Sequence, residues 1–418
     1  MNDANSQYDV VVVGLGYIGL PTAAVIARSG SRVLGVDVNA HAVETISRGQ
    51  IHIEEADLEE LVADVVARGL LVPSLTPAPA DIFVLAVPTP LRDGNVPDVS
   101  YVMAAVRSIA PVLKRGDTVI IESTSPVGTT EQARDLLETL RPDLSFPHDG
   151  GEAADVALCY CPERVLPGRI LIELEGNDRS IGGITPACAE KAADFYRRFV
   201  RGTCSVTSAR TAEMVKLVEN SFRDVNIAFA NEISMVCDSV GLDVWEVIAL
   251  ANRHPRVDVL QPGPGVGGHC IAVDPWFIVH SDPERTPLIR TARTVNDGKV
   301  DYVVDRAART LGERQDIRVA CLGLAFKANI DDLRESPAVK VAELLAKRFG
   351  DRVDIVEPHT QALPKAIEGS GAQLVDLDTA LGRCDLLLLL VDHREFHALS
   401  PARRAGKIVQ DTRGIWRD

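Results

Sequence analysis

YDVVVVGLGYIGL, residues 8–20, is the stretch on which the fold turns. The run Tyr8–Val13 reads as a fully buried strand. Gly14, Gly16 and Gly19 then mark a tight turn, and Pro21 to Ser29 read as a helix ending at Gly30. The next strand, RVLGVDV at 32–38, brings Asp37 to its end, 23 residues after Gly14. In this order the glycines let backbone N–H groups reach a pyrophosphate at the helix N-terminus, and a carboxylate at the Asp37 position holds both hydroxyls of a ribose. The same carboxylate would repel a 2′-phosphate, so NAD is expected rather than NADP. The candidate cofactor residues here are Gly14, Gly16, Tyr17, Ile18, Gly19 and Asp37.

Outward from this turn, DIFVLAV (81–87) and DTVIIES (117–123) read as further strands of a parallel sheet covered on both faces. From about Ser208 to Cys237 there is no proline or glycine. Met214, Val215, Val218, Phe222, Val225, Phe229 and Ile233 recur there at helical spacing, with Gly241 as the stop. Such a long helix is expected to cross between domains or to pack on a partner subunit. The segment Val244 to Asn252 reads as another helix.

The last hundred residues echo the first. IRVACLG (317–323), RVDIV (352–356) followed by Glu357, and CDLLLLLV (384–391) read as a second doubly wound unit, with Phe326 where the third glycine of the first turn would fall. Linkers are expected near 201–208 and 308–316. The expected architecture is α/β, two doubly wound Rossmann-like domains joined by a long central helix.

Composition narrows the partners. A chain of 418 residues suggests two or three domains. A net charge of −15 and few aromatics, 5%, argue against nucleic acid or an anionic membrane as partner. The eight cysteines follow no zinc spacing and read as reduced thiols of a cytoplasmic protein. No metal is expected. MNDANSQYDV has no basic-then-apolar pattern of a leader, and the aliphatic run Leu386–Val391 is too short to span a bilayer.

Four further motifs carry chemistry. GPGVGGHC (263–270), with Asp274 four residues on, places a thiol after a glycine-rich turn, where backbone can approach a ligand and a carboxylate can move protons. TAEMVKLVEN (211–220) puts Lys216 and Asn220 one helical turn apart on one face. In CYCPERVLPG (159–168), Pro162 and Pro167 bracket Glu163 and Arg164. GLAFK (323–327) is followed by DDLRESP (331–337), in which Ser336 before Pro337 reads as a helix cap. Taken alone, Cys270 reads equally as a buried hydrophobe, whereas Lys216 reads first as a solvated helix residue and Glu163–Arg164 first as a surface ion-pair loop.

These motifs, in this order and over essentially the whole chain, resemble the UDP-glucose/GDP-mannose dehydrogenase family. ENSFRDVNIAFANE (219–232), ANRHPRV (251–257), QPGPGVGGHCIAVDPWFIV (261–279) and NIDDLRESPA (329–338) are most similar to members acting on UDP-N-acetyl-D-mannosamine. Relatives that use UDP-glucose tend to have lysine where this chain has Val273. The resemblance implies an NAD-binding domain at 1–205, a central helical dimerisation and catalytic segment at 206–310, and a UDP-sugar domain at 311–418. It implies a four-electron oxidation of the sugar C6 alcohol to a carboxylate with two NAD. Cys270 would be the nucleophile, Lys216 an oxyanion stabiliser, Asn220 and Asp274 positioners of water, and Glu163 a base in thioester hydrolysis. Whether Lys216 or Asp274 is the first base stays open.

By the same resemblance Thr89, Thr124 and Arg334 would line the cofactor. Arg164, Val165, Arg223, His254, Arg256, Gly267 and Lys327, together with Lys216 and Asn220, would meet the UDP-sugar. A homodimer is expected. The alternatives are the glucosamine sugar as substrate, or a non-catalytic sensor of NAD or nucleotide sugar.

Overall fold

Eight short strands build the first sheet: β1 (Val10–Val13), β2 (Val33–Val36), β3 (Leu71–Ser74), β4 (Ile82–Leu85), β5 (Thr118–Ile121), β6 (Ala157–Tyr160), β7 (Arg179–Gly183) and β8 (Cys204–Ser208). The computed structural model describes residues 7–417 except 54, 56, 149–153, 167, 269 and 315, and Glu313 in its backbone alone. Pro167, expected to bracket the Glu163 loop, and residues 1–6, read above for a leader, lie outside the described residues.

The strand order is 8-7-6-5-4-1-2-3. Its six-strand part, 3-2-1-4-5-6, is the order of a dinucleotide fold whose ligand crevice opens where the winding reverses, between β1 and β4. Both neighbours of β1 are parallel to it, with Val10 opposite Val33 on one side and Ile82 on the other. Within this sheet, among the described residues, only the β6–β7 pair runs antiparallel. Because helices cover both faces, β1, β2 and β5 are buried at every residue, which is why they read as continuous apolar runs. Residues 201–208, expected as a linker, instead carry the edge strand β8, made of β-branched and small residues paired with β7.

The second sheet has five parallel strands: β9 (Val319–Leu322), β10 (Val353–Val356), β11 (Gln373–Leu374), β12 (Leu386–Leu389) and β13 (Ile408–Asp411), in the order 11-10-9-12-13. Two doubly wound sheets are therefore present, as the sequence implied.

Five helices matter for the site: α1 (Gly19–Arg28), α2 (Ala209–Val240), α3 (Asp274–Ser281), α4 (Pro287–Glu313) and α5 (Pro337–Phe349). The long helix α2 ends at Gly241, whose φ of +76° suits glycine. Ser336 caps α5 by accepting from the Ala338 N–H at 3.2 Å, with Pro337 as the first helical residue. By its contacts the chain divides into two compact units, residues 1–219 with 276–281, and residues 220–275 with 282–418. No helix among the described residues is long and apolar enough to cross a membrane.

One count needs correction. β1 and β9 end one residue before Gly14 and Gly323 respectively, so matching the strands places Ala328, not Phe326, at the third-glycine position. The two turns also differ in length. α1 starts at Gly19, directly after the first turn, whereas α5 starts only at Pro337. Phe326 instead packs beside the glycine run, within 3.2 Å of where a Cβ on Gly268 would lie.

Candidate active site

In the first unit, Gly14 has φ +93°, and a Cβ there would fall 2.4 Å from the Ala86 carbonyl oxygen of the next strand's end. A Cβ on Gly19 would fall 1.7 Å from the Gly14 carbonyl oxygen, so both positions are closed to any side chain. Gly16 is different: nothing lies within 4 Å of its would-be Cβ. That leaves room for a pyrophosphate beside the N–H groups ahead of α1. Tyr17 and Ile18 are half-buried beside it. Asp37, at the end of β2, accepts from the Leu15 N–H at 2.7 Å and from the Asn39 N–H at 2.8 Å. The cradle thus fits NAD, with Asp37 held beside the turn for the ribose. Thr89 and Thr124, from the ends of two adjacent strands, are brought together by a 2.6 Å bond from Thr89 Oγ1 to the Thr124 carbonyl.

The five expected catalytic residues fall into two groups. Glu163 and Lys216 are buried in the first unit, where Lys216 Nζ donates to the Glu163 carbonyl oxygen at 2.6 Å. The Glu163 carboxylate accepts from Arg179 at 3.0 Å and from the Arg164 N–H at 2.6 Å. Arg164 is in turn paired with Glu219 and donates to the Asp178 carbonyl at 3.1 Å, while Val165 packs against the apolar core. The loop is therefore a braced segment rather than a surface ion-pair loop.

In the second unit, Asn220 Nδ2 donates to Asp274 Oδ2 at 2.5 Å, and both residues are buried. Asp274 opens α3, and its N–H donates to the Cys270 carbonyl at 2.8 Å. Cys270 is the one exposed cysteine among the described residues. Burial pushes Cys161 and Cys384 up to about 12 and raises Cys159 and Cys321 as well, which keeps those thiols inert.

The glycine run is held from two sides. Asn231 Oδ1 accepts from the Gly263 N–H at 2.9 Å, and Asn231 in turn donates to Asn296 at 2.8 Å. Gly267 lies so close to the next loop that a Cβ would fall 2.6 Å from the Glu335 carbonyl oxygen and 2.6 Å from Pro337. The thiol segment and the loop from Lys327 to Pro337 are thus packed together. In that loop Lys327 and Arg334 are exposed, Arg334 paired with Asp332 at 2.5 Å. Arg223, His254 and Arg256 are also exposed, and the Arg256 N–H donates to His254 Nδ1 at 3.3 Å.

Sequence reading placed Lys216 and Asn220 on one face of α2 but missed that they belong to a longer, buried polar stripe. Glu213, Lys216, Asn220, Asp224 and Asn231 recur at helical spacing and are all nearly or fully buried. Glu213 holds the start of the helix Thr129–Leu140 through Gly128 N–H at 2.6 Å and Thr130 N–H at 2.9 Å. Asp224 is bound by Arg293 at 2.6 Å and by Asn296 at 2.8 Å. The usable signal was the polar periodicity itself, since apolar residues alternate with it around the helix.

One cluster invites a metal: Glu357, His359 and His393, whose candidate ligand atoms lie within 4.8 Å of one another. Its hydrogen bonds argue otherwise. His393 Nδ1 accepts from the Asn329 N–H at 2.9 Å, so the proton sits on Nε2, 3.2 Å from Glu357 Oε2. A protonated nitrogen cannot ligate, and Glu357 already accepts from Leu324, Ala325 and His359 N–H groups.

A glycine-turn cradle that fits NAD, a second doubly wound sheet and an exposed thiol are what an NAD-linked dehydrogenase requires. The chain belongs to the UDP-glucose/GDP-mannose dehydrogenase family: its NAD binding domain matches residues 8–200, its central domain 210–298 and its UDP binding domain 320–418. The chain is 58% identical over 407 residues to an NDP-N-acetyl-D-galactosaminuronic acid dehydrogenase of Ralstonia nicotianae, covering 97% of this chain and 96% of the relative. It is 56% identical over 416 residues to a UDP-N-acetyl-D-mannosamine dehydrogenase of Yersinia pestis, covering 98% and 99%. The solved structure of a UDP-D-ManNAc dehydrogenase from Pyrococcus horikoshii superposes with a TM-score of 0.88 at 37% identity, covering 98% of this chain and 96% of that one. The protein is an NAD-dependent UDP-sugar dehydrogenase.

Proposed function

We propose that this chain oxidises UDP-N-acetyl-D-mannosamine at C6 to the uronate through a covalent intermediate on Cys270. The observation that carries this reading is the exposed Cys270 thiol, joined through its own carbonyl to a buried Asp274 that Asn220 holds. NAD, when bound at the Gly14 turn, accepts the hydride of each oxidation. The thiolate adds to the C6 aldehyde to form a thiohemiacetal, whose oxidation leaves a thioester. Water then adds to the thioester, the C–S bond breaks, and the products are the carboxylate and the free thiol. The covalent link retains a reactive aldehyde between the two oxidations.

In this scheme Lys216 stabilises the oxyanion, Asn220 and Asp274 hold the water, and Glu163 takes its proton. Arg164, Val165, Arg223, His254, Arg256, Gly267 and Lys327 serve the UDP-sugar, and Arg334 the cofactor. The domains divide as 1–205 for NAD, 206–310 for the central segment and 311–418 for the UDP-sugar. The active form is a homodimer built on α2, which exposes Val218 (51%), Phe222 (66%), Phe229 (53%) and Val236 (50%) along one stripe. Eight cysteines outside any disulfide fit the reducing cytoplasm.

The 58% identity to the galactosaminuronate enzyme favours one second reading, a galactosamine-configured sugar. A panel of UDP-N-acetylhexosamines, mannosamine, galactosamine and glucosamine, followed by NADH absorbance, decides among them. Mannosamine sugar giving no NADH while another sugar does would overturn the substrate assignment. Cys270→Ser is expected to bind UDP-sugar yet form no uronate, and full activity would remove Cys270 from the mechanism. Wild-type enzyme should yield two NADH per sugar, whereas a simple alcohol dehydrogenase yields one.

A further inference from the structure

The thiol segment stands on two feet, and the reaction above gives a task to only one of them. The downstream foot is Asp274, held by Asn220. The upstream foot is Gly263, whose N–H donates to Asn231 Oδ1 at 2.9 Å. Both feet rest on α2, where Asn220 and Asn231 lie about three turns apart, ~16 Å along the axis. Fully extended, the chain from Gly263 to Asp274 would reach about 36 Å, so it has slack and must arch. Gly265, Gly267 and Gly268 give that arch no stiffness of their own. Contact with Glu335 and Pro337 bounds it on one side, and the two asparagines set its ends.

The orientation of Asn231 is itself dictated. The Asp224 carboxylate, paired with Arg293 at 2.6 Å, only accepts. Asn296 therefore turns Nδ2 to it, at 2.8 Å, and reaches the Asp224 carbonyl oxygen at 3.0 Å as well. That leaves Asn296 Oδ1 to accept from Asn231 Nδ2 at 2.8 Å, and Asn231 Oδ1 to accept from Gly263. Asp224, Asn231 and Asn296 are all fully buried, so bulk water does not compete for these bonds.

We propose that Asn231 is a positioning residue for Cys270: by holding Gly263 it sets the arch so that the thiol captures the C6 aldehyde before the aldehyde escapes. This rests on the reading of Cys270 as the nucleophile. Asn231 acts through the Gly263 backbone and not on substrate.

Asn226, also on α2, supplies a matched control. It makes two bonds to the same stretch just upstream, accepting from the Leu260 N–H at 2.9 Å and donating to the Asp258 carbonyl at 2.9 Å. Between them Asn252 accepts from the Val259 N–H at 2.8 Å and donates to the Val259 carbonyl at 2.9 Å. Removing Asn226 loosens the chain before the foot and leaves the foot in place.

The test counts NADH per UDP-sugar in the presence of hydroxylamine, with whichever UDP-N-acetylhexosamine the panel shows to be oxidised. Hydroxylamine condenses with an uncaptured aldehyde, giving an oxime and water after one NADH. An aldehyde already on the thiol goes on to the thioester and a second NADH, whether water or hydroxylamine then cleaves the C–S bond. Wild type should give two. Asn231→Ala should fall toward one, with uronate formation slowed about tenfold and the KM for NAD unchanged. Asn231→Asp keeps an acceptor for the Gly263 N–H and should bring the ratio back toward two. Asn226→Ala should stay at two. A ratio of two in Asn231→Ala, or an equal fall in Asn226→Ala, overturns the proposal. Should Asn231→Ala not fold, Asn231→Ser takes its place with the same two outcomes. Cys270→Ser separates the two readings. Two NADH per sugar in that variant rejects Cys270 as nucleophile and the proposal with it. One NADH there beside two in Asn231→Ala rejects the proposal alone.

Discussion

The two glycine turns of this chain begin alike and end differently. Gly14 and Gly323 follow the first strands of their sheets with φ of +93° and +92°, and each faces an atom 2.4 Å from its would-be Cβ. In each a carboxylate from the next strand holds the turn: Asp37 accepts from Leu15 N–H at 2.7 Å, Glu357 from Leu324 N–H at 2.6 Å. Beyond this they diverge. Asp37 is half-buried, whereas Glu357 is buried and also bound by Ala325, His359 and His393. The first carboxylate can exchange its partners for a ribose. The second is committed to bracing its own loop. The same strand–glycine–carboxylate device is thus left half-open in one sheet and closed on itself in the other.

The comparison is tested most severely at the shared glycines. Gly14→Ala and Gly323→Ala should each destabilise by about 3 kcal/mol, since the backbone is left-handed and the methyl group has no room. Urea melts check this, and a milder loss at either site would show that turn able to relax. The carboxylates come next. Asp37→Ala should raise the KM for NAD about tenfold with little change in melting. Glu357→Gln should cost about 2 kcal/mol of stability and leave the KM for NAD alone. Equal effects on both readouts would erase the distinction between ligand holder and brace.

The smallest expected difference is one of pH. Burial opposes ionised Glu357, but bonds from His393, Leu324 and His359 outweigh it and hold its carboxyl below the ordinary value of 4.5. A depressed carboxyl stabilises fully above that value, and the gain is lost as pH falls through the lower folded value. Glu122, buried after β5 in the first unit with Tyr196 Oη donating to it at 2.6 Å, has the opposite sign: raised by burial from 4.5 to about 7, it removes stability as pH rises between those values. Relative to the intrinsic, base-catalysed rate, protection of the amides of β9 to β13 should therefore fall first in acid, and that of β1 to β6 should rise on descending from pH 7. Parallel behaviour in both sheets would refute this.

How far these features were readable depended on how local their causes are. The first turn was legible because strand, glycines, helix and Asp37 all fall within residues 8–37, each with its own steric reason. The limits of α2 were close to readable, since nothing between Ser208 and Gly241 can break a helix. The 27-residue α4 went unread, because Gly298 and Gly312 inside it weaken the helical signal and packing overrides them. The partners of Glu163 and Glu122 were beyond the sequence altogether. Arg179 and Tyr196 arrive from distant elements, and nothing in their own neighbourhoods marks them. The third-glycine count at Phe326 failed because a loop of different length does not preserve positions.

The long helix α2 also acts as a ruler. Lys216, bonded to the Glu163 carbonyl, and Asn220, bonded to Asp274, are one turn apart on it. An α-helix advances about 100° per residue, so adding or removing a single residue between them would swing every later side chain by that angle. The shared face that Lys216 and Asn220 occupy on α2 would be lost. Length variation that a surface loop absorbs without harm is closed to this segment. A one-residue deletion there would be far more disruptive than most point changes within it.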